Sequence, residues 1–256
     1  MKLPRVYQTE AVIIKRINLG EADRLLTLYT PDYGKLKAVA KGTRRPKSKM
    51  GGHVELLTHS LLLLARGRNL DIVTQAQTIN SFLPLKDNLK PMSCGLYISE
   101  LVDSFTEEHI ENREIFLLFL DTLHQLSEAK NNDTVLRYFE LRLLDHSGYR
   151  PQLQKCANCN SPLQPVTHYF SSSQGGVLCP DCSYQEPLAL QLSLNALKVL
   201  RLWQNCDYTT ASRVNVNPEL DSELEQIMRD YIRYLLERQV KSTAWLDRLK
   251  QQTYMV

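Results

Sequence analysis

Apolar residues recur in this chain with two different periods, and the switch between them near residue 80 constrains the fold to strands first and helices after. Before the switch, Tyr7–Ile17 carries the apolar core Ala11-Val12-Ile13-Ile14, and Arg24–Thr30 follows. Lys35–Ala40 then alternates Leu36, Ala38 and Ala40 with Lys35, Lys37 and Val39. Val54–Ala65 and Leu70–Ile79 complete five strand-like runs, with turns at Pro31-Asp32-Tyr33-Gly34 and Arg66-Gly67-Arg68-Asn69. Five such runs without a long helix predict a small closed barrel over residues 1–80. A sandwich fragment or the strand-rich half of a larger sheet would show the same periodicity.

From Pro91 the period becomes helical, with Leu96, Ile98, Leu101, Val102 and Phe105 recurring at helical spacing. Ile115–Leu126 repeats the pattern behind Glu111 and Glu114, acids of the kind helix N-termini favour. Asn131-Asn132-Asp133 caps a third helix over Thr134–His146, which Gly148 and Pro151 stop. These three helices are expected to form a small bundle. Ser193 caps Leu194–Gln204, Asn217-Pro218 opens a long helix to about Val240, and Thr243–Lys250 ends the chain as a helical turn.

Between the two helical stretches stand Cys156-Ala-Asn-Cys159 and Cys179-Pro-Asp-Cys182. Two thiolates three residues apart on a tight turn can face one ion, and a second such turn completes a tetrahedron. With strands at Val166–Phe170 and Val177-Leu178 joined by a turn at Ser171–Gly176, the segment predicts a ribbon around structural Zn2+. Redox or vestigial use of the pairs is the alternative, although the βαβ surroundings of a redox C-x-x-C are missing. Four sulfurs leave no open coordination position, so no catalysis is expected at this metal. His168 lies between the pairs and reads as a strand residue. His53-Val54-Glu55 and His109-Ile110-Glu111 satisfy half of a zinc-deaminase signature, but Lys155 and Leu178 stand where its proline would be.

Charge is unevenly spread. Residues 1–80 hold 14 Lys/Arg against 6 Asp/Glu, residues 81–150 hold 7 against 12, and the remainder holds 10 of each. The basic excess concentrates in Lys35, Lys37, Lys41, Arg44, Arg45, Lys47 and Lys49, with no acid among them. Arg66 and Arg68 extend the set in the next turn. Clustered cations of this kind neutralise phosphates, which makes a nucleic acid the expected partner. A solvated loop without a ligand, or attraction to an anionic membrane, are the competing readings, the latter without an amphipathic apolar stripe nearby. Gly42, Gly51 and Gly52 suggest a mobile loop, and Tyr29 and Tyr33 could stack on bases or simply pack.

Other chemistry is not signalled. The Gly34-Lys35 pair is followed by Leu36 rather than Ser or Thr, so no phosphate loop forms, and no nucleotide cofactor is expected. The six histidines are scattered and no nucleophile–base constellation stands out, so the chain reads as a non-enzyme. Neither a signal peptide nor an apolar run long enough to span a bilayer is visible, which points to the cytoplasm and to no membrane partner.

The run Glu21-Ala22-Asp23-Arg24-Leu25-Leu26-Thr27-Leu28-Tyr29-Thr30, then Gly34-Lys35-Leu36 and Ala38-Val39-Ala40-Lys41-Gly42-Thr43-Arg44-Arg45, resembles the N-terminal signature of the bacterial RecO family of DNA repair proteins. The likeness continues through Leu70–Phe82, Tyr97–Leu101 and Gly148-Tyr149-Arg150-Pro151. It implies an α+β multidomain protein: an OB-fold barrel (1–80), a helical domain in two parts (81–152 and 187–256), and a four-cysteine zinc-ribbon-like insertion (153–186). It also implies binding of single- and double-stranded DNA, strand annealing, and RecF-type recombination. There the family acts with RecR to help RecA load onto DNA coated with single-strand-binding protein. The acidic tail of that protein docks on the helical domain in this family, and Arg137 and Arg142 are the candidates here. A nucleoid-associated bacterial location follows. An RNA-associated zinc-ribbon factor in transcription or ribosome assembly is the rival reading, and a nuclease lacks the carboxylate cluster it would need.

Overall fold

A computed structural model describes residues 4–129 and 131–253. The chain forms an α+β protein that divides into two compact units, residues 1–128 with 241–256 and residues 129–240. No helix among the described residues is long and apolar enough to cross a membrane.

In the first unit, strands β1 (Val6–Leu19), β2 (Asp23–Thr30), β3 (Gly34–Ala40), β4 (His59–Ala65) and β5 (Asp71–Asn80) close a barrel in the order β1-β2-β3-β5-β4. Of its pairings only β3–β5 is parallel, and it spans just Ala38–Ala40 against Asp71–Val73. The period-2 pattern sends Ala11, Ile13, Leu26, Leu28, Leu36, Ala38, Leu62 and Leu64 inward to a shared core. A bulge between Ile13 and Lys15 shifts the register of β1 against β2, so one long strand turns a corner and pairs with both β2 and β4.

Val54–Thr58, which reads as the start of a strand, does not join the sheet. A 3-10 turn over Gly51–Val54 precedes it, and Leu57 takes a left-handed backbone (φ 57) while its amide donates to the Ile13 carbonyl at 2.9 Å. Val54 and Leu57 are fully buried, Val54 in the barrel core with Leu56 against it and Leu57 facing Gly95, so this apolar segment is spent on packing rather than on strand pairing.

Helices α1 (Leu83–Lys86), α2 (Leu89–Phe105) and α3 (Arg113–Glu128) pack on one another in the same unit. The second unit holds α4 (Asn132–His146), β6 (His168–Ser171), β7 (Gly176–Leu178), α5 (Pro180–Ser183), β8 (Leu190–Leu192), α6 (Leu194–Asn205), α7 (Tyr208–Ala211) and α8 (Pro218–Leu236). Side-chain oxygens of Asn131, Ser193 and Asn217 accept the capping amides, and the cap at Asn131 starts α4 two residues earlier than the pattern alone suggests. The expected three-helix bundle is divided between the units: α2 and α3 pack together in the first, and α4 packs against α6 and α8 in the second. Eleven α4 residues are buried, on nearly every face, and α6, α7 and α8 all pack on it.

The final helix, α9 (Thr243–Thr253), returns to the first unit and packs on α2. Its entry is held by Glu100, whose carboxylate accepts from the amides of Lys241 and Ser242 (both 2.8 Å) and from the Ser242 hydroxyl (2.7 Å). A carboxylate there satisfies amides that the helix cannot, and complements its dipole. Glu100→Ala is expected to cost about 1 kcal/mol locally and to speed amide exchange along α9 with the barrel amides unaffected. Unchanged exchange in α9 would mean that apolar packing alone holds the helix.

Candidate nucleic-acid interface and metal centre

The β3–β4 connection carries the densest cationic surface. Lys41, Arg44, Arg45, Lys47 and Lys49 are all exposed. Apart from Met50, packed against the barrel core, the stretch has nothing to bury, so its cations stay in water. The backbone is nevertheless pinned, which differs from the mobility its glycines suggest. The Arg44 amide donates to the Ala22 carbonyl (3.0 Å), Gly42 to the Asp23 carboxylate (2.8 Å), and Ser48 to the Arg45 carbonyl (2.9 Å). A Cβ on Gly51 would stand 2.8 Å from the Thr43 carbonyl oxygen, so this glycine permits a close crossing of the loop on itself.

Below the loop, Glu55 accepts from both Arg16 and Arg24, the latter at 2.8 Å. Burial pushes its carboxyl upward, but the two guanidiniums outweigh that and hold it below the usual range. Arg16 and Arg24, absent from the sequence-derived set, thus serve to fix the loop's exit.

The other expected cations are placed differently. Lys35 is buried, its ammonium 3.1 Å from the Asp103 carboxylate of α2. Lys37 lies 2.5 Å from Glu108 in the α2–α3 connection. Both leave the barrel on its outer side, as the alternation predicts, but each is paired with an acid from distant sequence. Because β5 runs parallel to β3 with Asp71 opposite Ala38, the Arg66–Asn69 turn falls at the Gly34 end of the barrel. That is roughly 20 Å along the strand direction from the exit at Lys41. Arg66 stacks over the Tyr7 ring at 4.6 Å, and Tyr33 packs on the same ring at 4.6 Å, which gathers a separate aromatic–cationic cluster. Arg68 is exposed. Tyr29 is fully buried against Phe116 and is a packing residue.

In the second unit, Arg137 and Arg142 are not brought together on a surface. Arg137 is only 2% exposed, 2.7 Å from Glu140 and 3.9 Å from Glu225, in the packed core of α4 and α8. The one sequence signal for this is the Arg137–Glu140 spacing, three apart on a helix. Arg142 reaches the Gln204 carbonyl at 3.0 Å and Asp145 at 3.4 Å.

The four cysteines converge. Gln152 lies alongside Gly176, its amide and carbonyl bonded to Gly175 and Val177 at 2.9 Å, and the Ala157 amide donates to Val177 at 2.8 Å. This strap carries Cys156 and Cys159 to Cys179 and Cys182 at the end of β7. All four sulfurs lie within 4.8 Å of one another, and all are free thiols. Cys159 and Cys179 Sγ are 3.8 Å apart, far beyond a disulfide. A tetrahedral four-sulfur centre with metal–sulfur bonds of about 2.3 Å has edges of about 3.8 Å, so the donor set fits a metal. The thiols also perturb each other. A hydrogen bond from the Ser161 hydroxyl, with the Ser161 amide, draws Cys159 down to about 6, whereas bonding to Cys179 and Cys159 pushes Cys182 up to about 12. One thiolate forms readily and the next resists, which is the condition a divalent ion relieves. His168 is outside the cluster, its Nε2 2.7 Å from the Gln164 carbonyl oxygen.

Two family models match the chain, "Recombination protein O N terminal" over residues 1–82 and "Recombination protein O C terminal" over residues 87–244. The chain belongs to the RecO family. It is 44% identical to the DNA repair protein RecO of Roseiflexus sp. (strain RS-1), over 96% of this chain and 87% of the relative. A RecO of Dehalococcoides mccartyi is 42% identical over 97% and 98% of the two chains, and that of Halalkalibacterium halodurans is 29% identical over 95% of each. The RecO N-terminal match coincides with the barrel, and the C-terminal match spans the helices and the cysteine cluster together.

Replacing Cys156, the buried member of the cluster, by Ser is expected to abolish stoichiometric metal, read by elemental analysis of protein purified under reducing conditions. It should also open the 152–186 segment to protease, since binding energy at such sites is folding energy. Full metal content in the variant would remove Cys156 from the ligand set.

Proposed function

We propose that this RecO-family chain is a non-catalytic recombination mediator that binds single- and double-stranded DNA and anneals complementary strands. In this reading the barrel is an OB-fold, the family's nucleic-acid-binding module, and its strand order β1-β2-β3-β5-β4 supports that assignment. The observation that carries the reading is the exposed, acid-free cluster Lys41, Arg44, Arg45, Lys47 and Lys49, held on a pinned backbone at one barrel end. A fixed array of cations binds phosphates on two strands at once, lowers their repulsion, and raises the rate of productive encounter. Arg66 and Arg68 form a second cationic contact at the other end, where a longer strand would reach them.

The cysteine cluster is proposed to hold one structural Zn2+ in a ribbon-like insertion, with Cys156, Cys159, Cys179 and Cys182 as ligands and no coordination site left for substrate. From family membership follow the proposed partners: RecR, and the acidic tail of single-strand-binding protein on the helical unit, in the service of RecA loading in the bacterial cytoplasm. For the tail, Arg142 reaches the surface while Arg137 is committed to the interior.

Alanine at Arg44, Arg45, Lys47 and Lys49 together is expected to weaken single-strand binding by about a hundredfold or more at moderate salt and to flatten the dependence of log K on log salt by about 3, near 0.7 per lost phosphate contact. Fluorescence anisotropy with labelled oligonucleotides measures both, and the same variant should anneal complementary strands more slowly. Unaltered affinity and slope would remove the loop from the interface. Parallel titration of an RNA of the same sequence separates a DNA mediator from an RNA-associated factor.

A further inference from the structure

β3 has an incomplete edge. β2 pairs with its whole length, but β5 reaches only Ala38–Ala40, and the Gly34–Lys37 half is completed by the α2–α3 connection. There Glu108 bridges to Lys35 as a parallel neighbour, and the His109 amide donates to the Lys35 carbonyl at 2.8 Å. The approach is close enough that a Cβ on Gly34 would fall 1.9 Å from the Ile110 carbonyl oxygen. His109 takes a left-handed backbone (φ 64), a conformation unfavourable for a non-glycine residue that persists only where its surroundings impose it. The connection bears Glu107, Glu108 and Glu111, all exposed, and Glu108 points its carboxylate to Lys37. Each side chain holds the other in its charged form, the hydrogen bond between them raising Lys37 and lowering Glu108.

What Glu108 rests against is a patterned surface. On the barrel's outer side, the exposed Lys15 and Lys37 flank a buried Thr27 across β1, β2 and β3. The adjacent row is aliphatic, Ile17–Leu25–Val39–Ile72, with Ile17 51% exposed and the other three partly so. A row of flat apolar contacts beside a pair of lysines complements an unstacked single strand, whose bases need apolar cover and whose phosphates need cations. A duplex, with its bases stacked inside, has no use for the aliphatic row.

We propose that Glu108 is a built-in stand-in for a phosphate: it occupies Lys37 in the free protein and yields it when a single strand lies across the outer face of β1–β3. Both partners are 44% exposed, so the contact is cheap to break and a phosphate displaces it without unfolding the connection. Lys35, paired more deeply with Asp103, stays in place and keeps the connection docked. The acid thereby discriminates: weak or short polyanions fail to displace it, whereas a strand already anchored on the Lys41–Lys49 loop does so at high effective concentration.

The proposal rests on the reading that this unit binds nucleic acid, and one set of titrations tests both. Labelled oligothymidylate is titrated at several salt concentrations with wild-type protein, Glu108→Gln, Lys37→Ala, the double variant and the four-alanine loop variant, each checked for folding by circular dichroism. Glu108→Gln should tighten binding by roughly five- to tenfold at about 50 mM salt and steepen the salt slope by about 0.7, the value of one added phosphate contact. That gain should vanish in the Lys37→Ala background. An unchanged Glu108→Gln overturns the proposal. So does a gain that survives without Lys37, which would reflect only the general field of one fewer acid. If the loop variant weakens binding while Glu108→Gln is silent, the DNA-binding reading stands and this inference alone falls. If the wild-type protein fails to bind the oligonucleotide, both fall.

Discussion

How β3 is completed governs the architecture of the first unit. A five-stranded barrel of this order must join β3 to β5 in parallel, and here the junction is three residues long. The remainder of the β3 edge offers backbone groups that need partners, and burying them unpaired would be costly. The α2–α3 connection supplies the partners, which docks α2 and α3 against the barrel's outer side and buries Tyr29 beside Phe116. Docking in turn places Asp103 and Glu108 on Lys35 and Lys37. Strand pairing, helix packing and charge neutralisation are thus one event on this face of the barrel.

The consequence is a division of labour among cations that look alike in a linear reading. Lysines on β3 become ion-paired because their neighbours across the gap are acids. The cations at Lys41–Lys49 stay available because the stretch that carries them is held to the β1–β2 turn and to itself mostly through backbone bonds rather than acidic side chains. Asp23 meets the Gly42 amide and Glu55 meets Arg16 and Arg24, so the nearest acids are consumed in holding the loop still. An ordered array loses less conformational freedom on binding than a floppy one would.

Much of the fold was legible. Five alternating runs, a change of period near residue 80, and Asn or Ser caps identified most strands and long helices, because those features act over a few neighbouring residues. Two kinds of element escaped. Val54–Thr58 reads as strand, yet it packs Val54 into the barrel core and Leu57 against Gly95, since an apolar run has no local property that distinguishes a paired strand from a packed loop. Arg137 reads as a surface cation, yet it is buried beside Glu140 and Glu225, because α4 is packed on nearly every face and two acids meet the charge there. The short α1, α5 and α7 and the strand β8 lack sufficient length to show a period at all.

By itself the sequence determined the composition of the sites: two C-x-x-C pairs, an acid-free run of bases, and a family signature that covers both units. Those are properties of residue type and spacing, which survive whatever the chain does later. Only the tertiary structure decided which members are free to act. The convergence of four sulfurs depends on a strap at Gln152 pairing with β7. The fate of Lys35, Lys37 and Arg137 depends on acids dozens of residues away. Electrostatic energy falls with distance in space and is indifferent to distance along the chain, so a charge's partner is the one thing its own neighbourhood in sequence does not encode.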